Sequence, residues 1–200
     1  MYLKLIPKLV FATLLTLAVF PAFSQVGPAA TERTFPLSVG AGFSGFESGY
    51  GAGLLMGGSL WVDYTPPQVP RIIQGIGIEA EARDLNFHRA PDQPQNLRMD
   101  TIAGGVIYSW RHFDKFRPYG KFLIGFGNID FGNYEITPPK RLHDTRTITA
   151  LGGGVEYHAY RNIWARGDFQ YQMWPDFWKN TTPAGALNPY GFTAGASYHV

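Results

Sequence analysis

The sequence predicts an all-β fold, an eight-stranded antiparallel up-and-down transmembrane β-barrel, on three observations. Apolar and polar residues alternate with period two in eight separate segments, with no helical period of useful length between them. Glycine is abundant and concentrated on the polar parity of those segments, where a narrow barrel interior needs room for long neighbours. The chain opens with the pattern of an export signal. Lys4 and Lys8 supply its positive start, Leu9 to Phe20 its uncharged apolar run, and Ala22-Phe-Ser24 its small-residue cleavage site. Residues 1–24 are therefore expected to be a signal peptide, 25–34 a short periplasmic lead, and 35–200 the barrel domain.

The elements follow in order. Phe35 to Ser44 sets Leu37, Val39, Ala41 and Phe43 against Ser38, Gly40 and Gly42. Leu54 to Tyr64 sets Leu60, Val62 and Tyr64 against Trp61 and Asp63. The proline-rich stretch from Thr65 to Pro70 stops it, because proline cannot donate to a ladder. Ile73 to Phe87 sets Ile76, Ile78, Ala80 and Ala82 against Glu79, Glu81 and Arg83, with Gly75 and Gly77 on the charged side. Met99 to Arg111 carries Ile102, Val106, Tyr108 and Trp110 on its apolar side.

Pro118 to Asn128 sets Phe122, Ile124 and Phe126 against Lys121, Gly125 and Gly127. Arg146 to Ala159 sets Leu151, Val155 and Tyr157 against Glu156 and His158, and its Gly152-Gly153-Gly154 run predicts loose register or a bulge. Ile163 to Trp174 sets Ala165, Phe169, Tyr171 and Met173 against Arg166, Asp168, Gln170 and Gln172. Tyr190 to Val200 sets Tyr190, Phe192, Ala194, Ala196 and Tyr198 against Gly191, Thr193, Gly195, Ser197 and His199. The connections are expected to be short on the side of the termini and long on the other, as in outer-membrane barrels.

Alternation alone does not say which face points outward, since a soluble lipocalin-like carrier also alternates. Glycine on the polar parity favours a polar interior. The expected lipid-facing set is Ile76, Ile78, Phe122, Ile124, Phe126, Val155, Phe169, Phe192 and Ala194. The expected lumen network is Asp63, Glu79, Glu81, Arg83, Lys121, Glu156, Arg166 and Asp168, with both signs present as a nearly dry interior demands. Aromatics near strand ends are expected to form girdles at the two interfaces: Tyr64, Trp110, Tyr119, Trp164 and Tyr198 on one side, Trp174 and Tyr190 on the other.

Composition narrows the function. Lys and Arg number 17 against 15 Asp and Glu, and loss of Lys4 and Lys8 with the signal balances them, so nothing argues for a nucleic-acid surface. Cysteine is absent, which excludes disulfides and thiolate chemistry. The five histidines are scattered without ligand spacing, so neither a metal nor another cofactor is expected. Ser197 and His199 share a face, as do Glu156 and His158, but their pattern carries no recognisable catalytic motif, and no enzyme is expected.

Two stretches resemble a known family. Phe116-Arg-Pro-Tyr-Gly-Lys-Phe-Leu-Ile-Gly-Phe-Gly127 is similar to a hairpin entry of small OmpA-like outer-membrane β-barrels. So is Leu151-Gly-Gly-Gly-Val-Glu-Tyr157 followed by Asn162-Ile-Trp-Ala-Arg-Gly-Asp-Phe-Gln-Tyr171. The resemblance runs from about Phe35 to Val200. It implies a bacterial outer-membrane location, contact with lipid and lipopolysaccharide, and recognition by the barrel-assembly machinery through the C-terminal strand. The function expected is structural or surface-interactive: membrane integrity, adhesion or display of loops that hold an extracellular ligand. A narrow porin-like channel, a lipid-modifying barrel enzyme and a soluble lipocalin-like carrier remain alternatives.

Overall fold

The computed structural model describes residues 36–47, 54–66, 70, 74–88, 96–111, 115–130, 143–175 and 187–200. They form eight strands: β1 (Leu37–Glu47), β2 (Leu54–Tyr64), β3 (Ile76–His88), β4 (Asn96–Ser109), β5 (Phe116–Asp130), β6 (His143–Tyr160), β7 (Ile163–Met173) and β8 (Tyr190–His199). Each pairs antiparallel with its chain neighbours, and β8 returns to β1 to close the barrel. The closing seam runs in unbroken register from Ser38 opposite His199 to Glu47 opposite Tyr190. The Val200 N–H donates to the Leu37 carbonyl at 3.0 Å and extends it. Closure leaves no strand edge, which is the condition for crossing a medium without water.

Burial alternates along β1, β2, β7 and β8 as the pleat requires. The apolar parity points out: Phe43, Leu60, Ile78, Ile102, Phe126 and Phe192 are each about 60 % exposed or more. The polar parity is buried, with Glu79, Lys121, Arg166 and Asp168 all at 4 % or less. A chain that hides its ions and shows its isoleucines to the exterior is not built to be wetted there. That orientation excludes the soluble carrier, whose apolar face would be inside.

Strand ends differ from the sequence expectation in consistent ways. β1, β4, β5 and β6 run further on the side away from the termini, into Gly45–Glu47, Asn96–Arg98, Ile129–Asp130 and His143–Thr145. Pairing continues there because the alternation inverts: Phe46 and Ile129 turn inward while Glu47 and Asp130 take the other parity, which suits a ladder that has left the lipid. β3 begins at Ile76 rather than Ile73. Gly75 lies in the preceding turn with φ of 105°, a conformation open to glycine and strained for other residues. The glycine run of β6 is regular: Gly152, Gly153 and Gly154 keep register with both β5 and β7. The irregularity falls instead between His158 and Tyr160, where Ala159 is passed over in the β6–β7 pairing. Arg161, at φ of 48°, then makes the tight β6–β7 turn.

The connection pattern also needs correction. The intervals on the side of the termini are 65–75, 110–115 and 161–162; those on the other side are 48–53, 89–95, 131–142 and 174–189. The first of these is longer than two of the opposite ones, because strand extension shortened the latter. The two longest, 131–142 and 174–189, still lie away from the termini.

Candidate functional site

The interior holds three layers. The middle layer is ionic. Glu79, Glu81 and Arg83 sit at alternate positions of β3 and so share one face, and Arg166, Asp168, Gln170 and Gln172 do the same on β7. Lys121 of β5 reaches between them. Its Nζ donates to Glu79 Oε1 at 2.8 Å and Glu81 Oε2 at 2.7 Å, and stands 3.1 Å from Asp168 Oδ2. Arg166 spreads its guanidinium across Asp63 Oδ2 (3.0 Å from Nη1), Glu79 and the Tyr119 hydroxyl (2.7 Å from Nε). The Tyr119 O–H passes the chain on to Asp168 Oδ2 at 2.7 Å. Arg83 Nη2 pairs with Glu81 Oε1 at 2.7 Å, Nη1 donates to Gln170 Oε1, and Nε donates to Ser44 Oγ at 3.3 Å. Lys121, Arg83 and Arg166 are thus each shared between several acceptors, which is the arrangement that makes buried charge tolerable.

The layer away from the termini is apolar. Phe46, Leu55, Leu85, Met99, Ile129, Ile148, Trp174 and Leu187 form one buried cluster across the lumen. Trp174 is held by its Nε1–H, which donates to Gln172 Oε1 at 3.0 Å. Glycine makes the space: a side chain on Gly127 would enter the Trp174 indole, and one on Gly40 the Trp61 indole.

The layer at the terminal mouth is aromatic and titratable. Trp164 lies between His158 and His199, with ring centroids 4.8 Å and 5.2 Å away. The Arg117 guanidinium lies 4.3 Å from the Trp164 ring and 3.8 Å from Glu156 Oε2. Ser197 Oγ lies 3.3 Å from Glu156 Oε1 and 3.4 Å from His199 Nε2. Serine, histidine and glutamate therefore do meet, but not as a relay. A relay needs the acid on the ring nitrogen remote from the hydroxyl. Here Glu156 and Ser197 both face Nε2, and Ser197 is 2 % exposed, which leaves its hydroxyl closed to a substrate. Among the described residues no group of three or more His, Asp or Glu is placed to hold a metal ion.

The sequence-derived sets divide as follows. All eight expected lumen residues, Asp63, Glu79, Glu81, Arg83, Lys121, Glu156, Arg166 and Asp168, are buried inside the barrel. Ile76, Ile78, Phe122, Ile124, Phe126, Val155, Phe169, Phe192 and Ala194 are exposed on its outside. Tyr64, Trp110, Tyr190 and Tyr198 are outside as well, near strand ends. Tyr119, Trp164 and Trp174 are not girdle residues. Tyr119 and Trp174 are buried in the lumen, and Trp164 fills its mouth. Each shares the parity of a neighbour two residues away, Lys121, Arg166 and Gln172, and the pleat carries it inward. That same parity was the signal for the apolar layer, which composition alone conceals: Leu85 follows Arg83 by two, and Phe46 follows Ser44 by two.

A closed barrel with ions within and a continuous apolar exterior defines an integral β-barrel membrane protein. The chain belongs to the outer membrane protein beta-barrel domain family, whose sequence profile matches residues 12–199. Its place is the bacterial outer membrane. Among solved structures it is similar to Neisserial surface protein A, at 13 % identity and a TM-score of 0.53, covering 82 % of this chain and 96 % of that one. It is also similar to Ail, the attachment invasion locus protein of Yersinia pestis, at 15 % identity and a TM-score of 0.51 over the same shares. Ail has further been crystallised with the heparin analogue sucrose octasulfate, and that structure matches at 16 % identity and a TM-score of 0.50. At these identities the likeness is one of fold. The sequence matches no curated protein.

Proposed function

We propose that the protein is a closed surface barrel: a rigid scaffold that spans the outer membrane with its termini in the periplasm and presents its longer connections outside the cell. The observation that carries this reading is the filled lumen. An ionic layer, an apolar layer and an aromatic mouth succeed one another along the axis, and an eight-stranded interior is only wide enough to be filled by side chains. Binding then belongs to the outer rim and the connections 131–142 and 174–189. Within them the basic segment Thr137-Pro-Pro-Lys-Arg141 and the aromatic segment Pro175-Asp-Phe-Trp-Lys-Asn-Thr-Thr-Pro183 are the candidates for holding a partner or lipopolysaccharide phosphates, and both lie almost wholly outside the described residues.

The described outer rim is net acidic and does not itself favour a polyanion like the heparin analogue seen with Ail; further basic residues lie in the connections, Lys140 and Arg141 in 131–142 and Lys179 in 174–189. Glu47, Asp84, Asp100, Asp130 and Asp144 outnumber Arg98 and Arg146 there. Arg98 is engaged laterally, at 2.7 Å from Asp84 Oδ2 and 3.1 Å from Asp100 Oδ1. An epitope inserted in 131–142 tests the reading. It should be labelled by antibody on intact cells. Labelling only after the outer membrane is permeabilised would reverse the orientation and remove the display role.

A further inference from the structure

Two neighbouring connections at the terminal end of the barrel carry the same pairing of residues. In the β4–β5 connection Trp110 is followed by Arg111, and Lys115 precedes Phe116; in the β6–β7 turn Tyr160 is followed by Arg161. Trp110, Phe116, Tyr157 and Tyr160 are exposed on the outer surface, and Arg111, Lys115 and Arg161 are exposed beside them. The connections are joined in space. The His158 N–H donates to the Lys115 carbonyl at 2.9 Å, the Trp110 N–H donates to the Pro118 carbonyl at 2.7 Å, and the Phe116 and Tyr157 rings lie 5.0 Å apart. No described acid pairs with Arg111, Lys115 or Arg161. The one acid in these two connections is Asp114, which lies outside the described residues. The two described acidic side chains near this end face inward, Glu156 toward Arg117 and Ser197, Asp63 toward Arg166. On the far side of the same terminal end, Tyr64 has no described basic residue beside it.

Outward aromatics at a strand end mark the headgroup level of a bilayer. Cations held just beyond them stand at the depth of lipid phosphates, where guanidinium and ammonium groups find strong acceptors. We propose that this wall, from β4 to β7, is a docking surface for an anionic glycerophospholipid of the leaflet facing the termini. Arg111, Lys115 and Arg161 engage its phosphate headgroup, and Trp110, Phe116, Tyr157 and Tyr160 flank the upper part of its chains. The opposite end of the exterior has the reverse balance, with Asp84 and Asp100 against Arg98, so the surface is polarised across the membrane. The proposal rests on the orientation given under Proposed function.

The test is native mass spectrometry of the purified, folded barrel offered equimolar phosphatidylglycerol and phosphatidylcholine. The variant is Arg111→Gln with Lys115→Gln and Arg161→Asn; asparagine tolerates the left-handed turn position. The control is Arg98→Gln. Wild type should retain the anionic lipid over the zwitterionic one on the order of tenfold, which three weakly attracted cations are able to supply. The triple variant should fall near parity and the control should match wild type. No preference in wild type, or an undiminished one in a folded triple variant, overturns the proposal. If the triple variant does not fold, Lys115→Gln alone should lose part of the preference, and full retention there overturns it equally. A wild type that binds purified cell-wall sacculi but shows no lipid preference would also overturn it. Failure of this kind is distinct from failure of the orientation, which the epitope reports independently.

Discussion

The Arg83 guanidinium lies 4.2 Å from the centroid of the Phe46 ring, and this contact joins the ionic layer to the apolar one. A guanidinium is weakly hydrated and stacks on aromatic faces, so it can end a charged network against a hydrophobic cluster without a layer of water between. The same residue faces Glu81, Gln170 and Ser44 on its other edges. The two layers therefore meet by direct contact across a boundary of chemistry.

Closure gives a direct expectation in planar bilayers. The wild-type barrel should show no steady unitary conductance. Trp164→Ala should leave it closed, because removing the mouth residue leaves the ionic and apolar layers intact. Ohmic single-channel steps from wild type would favour the narrow channel over the scaffold.

Glycine positions should respond in opposite directions according to what lies above them. Gly40→Val drives a branched side chain into the Trp61 indole, which also takes the Arg166 guanidinium at 4.8 Å. It should destabilise by about 1–3 kcal/mol through overpacking. Gly58→Ala meets nothing within 4 Å and should be neutral or stabilising by about 0.4–1 kcal/mol, through the reduced freedom of the unfolded chain. Urea unfolding in lipid vesicles, followed by tryptophan emission, measures both. Equal costs at the two sites would contradict the Trp61 placement.

Most of the architecture was legible because the barrel repeats one rule. Alternation assigned inside and outside for Glu79, Lys121 and Arg166 correctly, since each sits in the middle of a strand where both neighbours obey it. At three strand ends residue type and parity disagree. Tyr119, Trp164 and Trp174 suit an interfacial girdle by type, but their parity with Lys121, Arg166 and Gln172 points inward, and the pleat follows parity. The shift at Ala159 had no signal in composition, because a bulge reflects how a turn joins two strands, while the glycine run that suggested one has partners on both sides. Strand extension to Glu47 and Asp130 was hidden because the pattern inverts there, with Phe46 and Ile129 inward and the outward parity polar.

Ala194 faces outward near the middle of β8, opposite Phe43 on one side and Gly167 on the other. Replacing it with arginine should cost roughly 2–4 kcal/mol, the penalty for a cation at the bilayer midplane. Leu54→Arg, at the end of β2 away from the termini, should lose only about 0–1 kcal/mol from the charge, since depth there approaches the interface. Folding titrations in vesicles compare the two. A neutral Ala194→Arg would place that position out of hydrocarbon.

Lys121, like Arg166, has three carboxylates within ion-pair distance: Glu79, Glu81 and Asp168. Lys121→Met keeps its length and apolar stem but leaves those carboxylates short of a partner. Breaking one side of a buried network typically costs about 3–5 kcal/mol, because the remaining charges stay desolvated. The paired change Lys121→Met with Glu81→Gln should recover part of that loss, since it removes a carboxylate together with its cation. It cannot recover all of it, because Arg83 then loses Glu81 as its ion-pair partner. The measurement is again urea unfolding in vesicles, single against double variant. A single-variant loss under about 1 kcal/mol would mean that water reaches the middle layer and screens it. In that case the ionic layer would no longer support a closed lumen.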